Sequence, residues 1–185
     1  MANPDVRRGT MKTALAENLR ELMKKKLFEK ITIKQICDET GVIRATFYNY
    51  FDDKYDCLNW IIHRDFFNNE ELLYKGGPKE YFSAVLTVMK EERAFYRVGY
   101  YVIGQNSFED MITCNLADVL TRFFDLKRKD NMLPQYSNQL VASYYAQCLS
   151  FIFRKFTFDA DKWTVDEAKQ MIVDLMGHSF RDYIE

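Results

Sequence analysis

Between Thr32 and Lys54 the chain reads TIKQICDETGVIRATFYNYFDDK, two short stretches of helical periodicity hinged on a single glycine. This segment restricts the fold more than any other. Thr32 can cap a helix with its hydroxyl, and Gln35, at the third helical position, can reach back with its amide to complete a capping box. Ile33, Ile36 and Cys37 then share one face, leaving Lys34, Asp38 and Glu39 to water. Gly41 follows Thr40 where the helix must stop, because glycine enters the left-handed region at the least steric cost. Val42 turns the chain back to the core, and a second helix is predicted over about 44–51.

Phe47 and Phe51 are four residues apart on that second helix and are assigned to the core, so the remaining side chains face outward. A short helix with a polar outer surface at its N-terminal end is what a DNA major groove accepts. Arg44 has the fork to read guanine O6 and N7, Thr46 can bond a base edge or a phosphate, and Ala45 can touch a thymine methyl. Tyr48, Tyr50 and Lys54 suit phosphate oxygens, which would position the helix without reading sequence. A plain helical hairpin in an all-helical core is the competing reading of the segment.

GVIRATFYNYFDDK resembles the recognition segment of the TetR family of bacterial transcription regulators, whose pattern is Gly-Val-Ser-x-x-Thr-(Phe/Leu)-Tyr-x-(His/Tyr)-Phe followed closely by Lys. The likeness runs upstream through Thr32, Lys34, Ile36 and Gly41 and downstream to Lys54 and Leu58. It implies an N-terminal three-helix DNA-binding domain, with Thr32, Lys34 and Asn49 joining the DNA-facing set. The chain departs from the pattern at Ile43, where the family usually has a capping serine. Loss of such a cap costs about 0.5–2 kcal/mol.

The segment up to Lys54 holds eleven Lys and Arg against eight Asp and Glu, although the whole chain has a net charge of −1. Positive charge is therefore concentrated, modestly, where DNA would lie, while a pI near 6.2 argues against bulk coating of nucleic acid. Arg7 and Arg8 precede the first helical pattern and suggest either a short flexible arm over residues 1–9 or a solvated terminus. With 48% hydrophobic and 29% charged residues in 185, the chain is of globular type. No apolar run approaches the ~20 residues of a membrane span, and no signal peptide is evident, which predicts a cytoplasmic location. Cys37, Cys57, Cys114 and Cys148 lack metal-ligand spacing and are read as reduced core residues. His63 and His178 lie in no nucleophile or metal pattern, and there is no Gly-rich phosphate loop. Neither an enzyme, a cofactor nor a metal is expected.

Periodicity elsewhere predicts an all-α chain. A first helix is expected from about Thr10 to Lys26, completing a DNA-binding domain over residues 10–54. A linking helix, capped by Asp53 with Asp56, is expected to run through residues 55–74 towards Leu73. Lys75-Gly76-Gly77-Pro78 is the clearest break, with Pro78 suited to a first helical turn. Residues 75–185 are expected to form a helical dimerisation and effector domain, with helices at about Pro78 to Glu92, Ala94 to Ile103, Phe108 to Lys127, Pro134 to Phe156 and Val165 to Tyr183. Thr164 with Glu167 marks the last of these starts. More weakly, Arg93-Ala94-Phe95-Tyr96, Gly104-Gln105-Asn106-Ser107-Phe108 and Trp163-Thr164-Val165-Asp166-Glu167-Ala168 resemble the Gram-positive, dihydroxyacetone kinase regulator-like group of the family.

The family resemblance implies pairing of the last two long helices with those of a second chain. Suitable residues recur at Val141, Tyr144, Tyr145, Cys148, Leu149, Ile152 and Phe153, and again at Ala168, Met171, Ile172, Leu175 and Met176. A dimer also answers a physical need, because one recognition helix spans few base pairs and two half-sites of a palindromic operator supply specificity. Tyr96, Tyr100, Tyr101, Phe123, Phe124, Tyr144, Tyr145 and Phe151 have the composition of an effector pocket, although aromatics at this spacing equally describe packed core. The expected function is a DNA-binding regulator, a repressor modulated by a small-molecule effector. The alternatives are an activator working through a partner protein and a helical interaction adaptor.

Overall fold

The computed structural model describes residues 4–129, 135–159, 162–178 and 182. Among these the regular structure is entirely helical: α1 (Pro4–Lys25), a single 3-10 turn (Phe28–Lys30), α2 (Ile33–Thr40), α3 (Arg44–Tyr48), α4 (Lys54–Phe67), α5 (Glu70–Lys75), α6 (Pro78–Glu91), α7 (Arg93–Gly99), α8 (Phe108–Lys127), α9 (Asn138–Phe158) and α10 (Val165–Gly177). The chain divides into two units. One holds the residues up to Ile62 together with Ala94–Phe108, and the other holds His63–Arg93 and the residues from Glu109 onward.

In the first unit α1 buries Leu15, Ala16, Leu19, Leu22 and Met23 as the i, i+4, i+7 stripe of an amphipathic helix. The helix begins at Pro4, not near Thr10, so its backbone takes in the stretch expected to form an arm. Proline suits a first turn because its missing N–H has no partner there anyway. The side chains of Arg7 and Arg8 lie outside the described residues. Phe28, Ile31, Ile36, Cys37, Phe47 and Phe51 fill the centre, joined by Cys57, Leu58, Ile61 and Ile62 of α4.

The chain's return through α7 belongs to this same unit. Phe108 is fully buried and its ring meets Phe95, Tyr96 and Tyr100 edge-on, at centroid separations of 5.8, 5.8 and 5.3 Å. The guanidinium of Arg20 on α1 lies 4.9 Å from the centre of the Phe95 ring, so a buried cation ties α7 to α1. The helix expected to reach Ile103 stops at Gly99.

The second unit is built on α6, which packs against α5, α9 and α10. Tyr81, Phe82, Val85, Leu86 and Met89 form its buried face, matched by Ala146, Leu149, Ile152, Phe153 and Phe156 of α9 and by Ala168 and Ile172 of α10. Phe153 stacks on Phe66 at 6.0 Å and meets Phe82 edge-on at 6.5 Å. Pro78 sits at the start of α6 after Gly77, whose φ of 96° only glycine adopts readily.

The linking helix does not run unbroken to Leu73. It ends at Phe67, and α5 starts afresh at Glu70. Asn69 Nδ2 donates to the carbonyl of Asp65 at 3.1 Å, a side-chain bond that competes with the helical ladder where the break falls. Helix α9 begins at Asn138 under a Ser137 cap, whose hydroxyl accepts from the amide of Leu140 at 3.1 Å. Pro134 and Tyr183, expected to bound the last two long helices, lie outside the described residues. Thr164 and Glu167 form the expected capping box, with the Thr164 amide donating to Glu167 Oε2 at 2.7 Å and the Glu167 amide to Thr164 Oγ1 at 3.1 Å.

Candidate nucleic-acid interface

Helix α2 starts with the reciprocal bonds its sequence requires. The Gln35 amide donates to Thr32 Oγ1 at 3.2 Å, and the Thr32 amide to Gln35 Oε1 at 3.0 Å. At its end Gly41 adopts φ 72° and ψ 33°, and two bonds close the turn: Val42 N–H to Cys37 O at 3.0 Å and Gly41 N–H to Asp38 O at 3.2 Å. These are the 6→1 and 5→2 bonds of a Schellman motif. Asn18 of α1 donates to Thr40 Oγ1 at 2.9 Å, and that hydroxyl passes its proton to Ile36 O at 2.7 Å. The angle at which the chain enters α3 is therefore set by bonds at both ends of α2.

Helix α3 is anchored on its inner side by Phe47 and Phe51, both buried, with rings 5.6 Å apart. Phe51 meets Trp60 at 6.0 Å, and the Lys12 ammonium lies 5.1 Å from the Phe51 ring and 5.3 Å from Trp60. The helix spans only Arg44–Tyr48, shorter than the predicted 44–51. Its last amides switch to tighter i→i+3 bonds, Asn49 to Thr46 O and Tyr50 to Phe47 O, and the chain then turns into the cap of α4. There Asp53 Oδ1 accepts from the amides of Tyr55 and Asp56 at 2.7 and 2.8 Å, while the Asp56 carboxylate accepts from the Asp52 amide at 3.1 Å.

The outer side of α3 presents Arg44, Ala45, Tyr48 and Asn49 to solvent, while Thr46 and Tyr50 are half-buried. Arg44 reaches towards the Tyr48 hydroxyl at 3.4 Å, which holds cation and phenol on one edge. Thr32 is exposed; its hydroxyl accepts a capping bond and keeps its own proton to donate. Lys34 is exposed and bridges Asp38 at 2.6 Å, a surface pair worth about 0–1 kcal/mol that a phosphate could displace.

Lys54 requires a correction, because its ammonium is directed inward. Its Nζ donates to the carbonyls of Phe28, Ile31 and Glu29 at 2.9, 3.1 and 3.3 Å and lies 4.5 Å from the centre of the Phe28 ring. All three protons are directed to the 3-10 turn, so Lys54 staples the start of α4 to that turn and has no free donor for a phosphate. Burial pushes its pKa below 10.5, opposed by the carboxylates of Glu29 and Asp53. The carbonyl partners are more than twenty residues away in sequence, so no local pattern announced them.

The aromatics expected to line an effector pocket are divided between the two units. Tyr96 and Tyr100 are packed around Phe108 in the first unit, and Tyr101 is 57% exposed. Phe123 and Phe124 are partly buried, one stacked on Tyr74 at 6.3 Å and the other meeting Tyr145 edge-on at 6.1 Å. Tyr144, Tyr145 and Phe151 line an open groove of about 730 Å³ with Leu149, Ile152, Leu175 and Met176, residues expected at a dimer contact.

The set expected for dimerisation also divides. Leu149, Ile152, Phe153, Ala168 and Ile172 belong to the core of the second unit, while Val141, Met171 and Met176 are half-buried. The outward apolar residues are Leu175 and Tyr144 of that set and two it did not contain, Leu140 and Phe151, at 49, 65, 57 and 62% exposure. Leu140, Tyr144 and Phe151 follow helical spacing on α9, but so do its buried residues, and spacing alone does not separate the two faces. Cys37 and Cys57 are buried as expected, but Cys114 and Cys148 are exposed. Both follow the period of their helices' outer faces rather than their apolar neighbours.

A glycine-hinged helix pair with a solvated, cation-bearing second helix has the form of a DNA-binding helix-turn-helix. Residues 17–61 match the family described as bacterial regulatory proteins, tetR family. The match takes in the C-terminal part of α1, all of α2 and α3 and the first half of α4. A curated relative, the HTH-type dhaKLM operon transcriptional activator DhaS of Lactococcus lactis subsp. lactis (strain IL1403), is 27% identical over 145 residues, covering 76% of each chain. Among solved structures, the dihydroxyacetone kinase operon activator DhaS shares the fold with a TM-score of 0.65 at 20% identity, over 89% of this chain and 93% of that one. NalD, the secondary repressor of the MexAB-OprM multidrug efflux pump in Pseudomonas aeruginosa, has a TM-score of 0.59 at 14% identity, over 91% and 94%. No described helix is long and apolar enough to cross a membrane.

Proposed function

We propose that this regulator is a homodimer that occupies a palindromic operator and represses transcription, with occupancy governed by an effector. The observation that carries the reading is the two-sided character of α3. Phe47 is fully buried while Arg44, Ala45, Tyr48 and Asn49 stand in water at the point where a major groove would receive them. Arg44 and Ala45 read bases; Thr46, Tyr48, Asn49 and Tyr50 bond bases or backbone; Thr32 and Lys34 bond backbone.

Pairing is supported by the exposed stripe of Leu140, Tyr144, Phe151 and Leu175 beside the groove on α9 and α10. Large apolar side chains concentrated on one face of a soluble chain mark an interaction surface. A two-fold axis through it would duplicate the recognition helix. Effector control is supported by the path of the chain, which leaves the second unit at Arg93, builds α7 into the first and returns at Glu109. A ligand that prefers one arrangement of the second unit can therefore bias the unit carrying α3.

A second reading, activation, is favoured by the 27% likeness to an operon activator. Both readings need the same DNA-facing surface. Selection from a randomised duplex library tests what they share: the expected product is a two-fold symmetric consensus bound by two chains, and a library that enriches nothing contradicts it. Placing the consensus across a reporter promoter then reads the sign, a fall in transcription for the repressor and a rise for the activator.

A further inference from the structure

We infer that Ile43 reads a thymine methyl in each operator half-site and is a specificity-determining residue of this regulator, an inference that rests on the DNA-binding reading above. Ile43 stands immediately before α3 with extended backbone, φ −85° and ψ 158°, and is 72% exposed. A single exposed isoleucine needs no explanation on its own, but this position supplies one. The residue ahead of a recognition helix lies beside the side chains that enter the groove, here Arg44 and Ala45, both exposed.

In the free protein Ile43 is unfavourable in two ways. It makes no side-chain capping bond to the first turn of α3, which a serine, threonine or aspartate would make, and it leaves most of an apolar side chain in water. Burial against DNA removes the second cost. Isoleucine has no donor or acceptor, so it can tell base pairs apart only through an apolar feature. In the major groove the thymine C5-methyl is the one such feature among the four base pairs. Contact with that methyl distinguishes A·T from G·C, and T·A from A·T, without a hydrogen bond.

The test uses the full-length protein and the duplex it selects from a random library. Each thymine of a half-site is replaced in turn by uracil, which removes the methyl and leaves every hydrogen-bonding group in place. The expected result for the unaltered protein is a position, separate from any that depends on Ala45, at which uracil weakens binding about fourfold per half-site, or roughly fifteenfold when both half-sites are changed, the value of one buried methyl. Ile43→Ser should bind the thymine and uracil duplexes equally at that position. Ala45→Gly, which removes the other exposed methyl on the helix and should weaken binding at its own contact, should keep the ratio of thymine to uracil affinity at the Ile43 position. Because Ile43 is exposed and serine is a good cap, Ile43→Ser is expected to fold, and its melting curve verifies this.

Indifference of the unaltered protein to uracil at every position would overturn the inference. So would a uracil penalty at that position that persists undiminished in Ile43→Ser or disappears in Ala45→Gly, or a folded Ile43→Ser variant whose affinity for both duplexes falls far below that of the unaltered protein for the uracil duplex. Failure of the library to enrich any duplex would overturn the DNA-binding reading and this inference with it.

Discussion

The ammonium of Lys54 donates to the carbonyl of Phe28 at 2.9 Å, across twenty-six residues of sequence, and the Phe28 ring lies beneath it at 4.5 Å. Lys54→Met keeps the aliphatic stem but removes three hydrogen bonds to carbonyls. The domain should lose about 1–2 kcal/mol, the lower part of the range for bonds to a charged group because the site is partly solvated. Urea denaturation measures this. The slope of log affinity for DNA against log salt should stay unchanged, whereas loss of a phosphate contact would lower it by about one.

Gly99 fixes how closely α7 approaches the aromatic cluster. A Cβ at this position would lie 2.6 Å from two carbons of the buried Phe108 ring, which Phe95, Tyr96 and Tyr100 enclose. Gly99→Ala should destabilise the protein by about 1–3 kcal/mol despite the better helix propensity of alanine. A higher melting temperature in the variant would mean that the cluster is loose enough to yield.

Tyr81 is fully buried on α6, and among the described residues its hydroxyl has no hydrogen-bond partner. Burial, reinforced by Glu70 and Tyr74, raises its pKa well above the usual phenol range. Tyr81→Phe should therefore be neutral or stabilise the fold by up to about 1 kcal/mol, since it removes an unsatisfied buried group and keeps the ring. A clear loss of stability would show that the hydroxyl is satisfied from within the fold.

On α9, Phe151 and Phe153 are two residues apart with opposite roles, one 62% exposed and the other fully buried. Phe151→Glu and Tyr144→Glu should convert a dimer to folded monomers in sedimentation and abolish operator binding. Phe153→Ala should instead lower stability by about 3–5 kcal/mol. Retention of a dimer by both glutamate variants would move the pairing surface elsewhere.

How much of this was legible in the residues depended on the range of each interaction. The capping boxes at Thr32 and Thr164, the Gly41 turn and the start of α6 at Pro78 are settled within five residues, and the structure has each of them. The Lys54 staple joins residues more than twenty apart and could not be read locally. The break at Asn69 depends on a side-chain bond that outcompetes an otherwise sound helical pattern. Helix α9 is apolar on more than one face, so periodicity could not tell Phe151 from Phe153. Its aromatics also answered equally well to pocket, core and interface. The exposed side of α3 was legible because Phe47 and Phe51 identify the inner side and leave Arg44, Ala45 and Tyr48 outside.

The central claim is that the exposed side of α3 reads sequence. It is tested most directly by the affinity of the full-length protein for its selected palindrome against a scrambled duplex at about 0.15 M salt, in the unaltered form and in Arg44→Ala and Tyr48→Phe. The preference for the palindrome should be at least about 10³. Arg44→Ala should relax that preference at one base pair of each half-site, and Tyr48→Phe should weaken both duplexes alike, with no change in salt slope because the phenol is neutral. Equal affinity for the two duplexes, or variants indistinguishable from the unaltered protein, would contradict the claim.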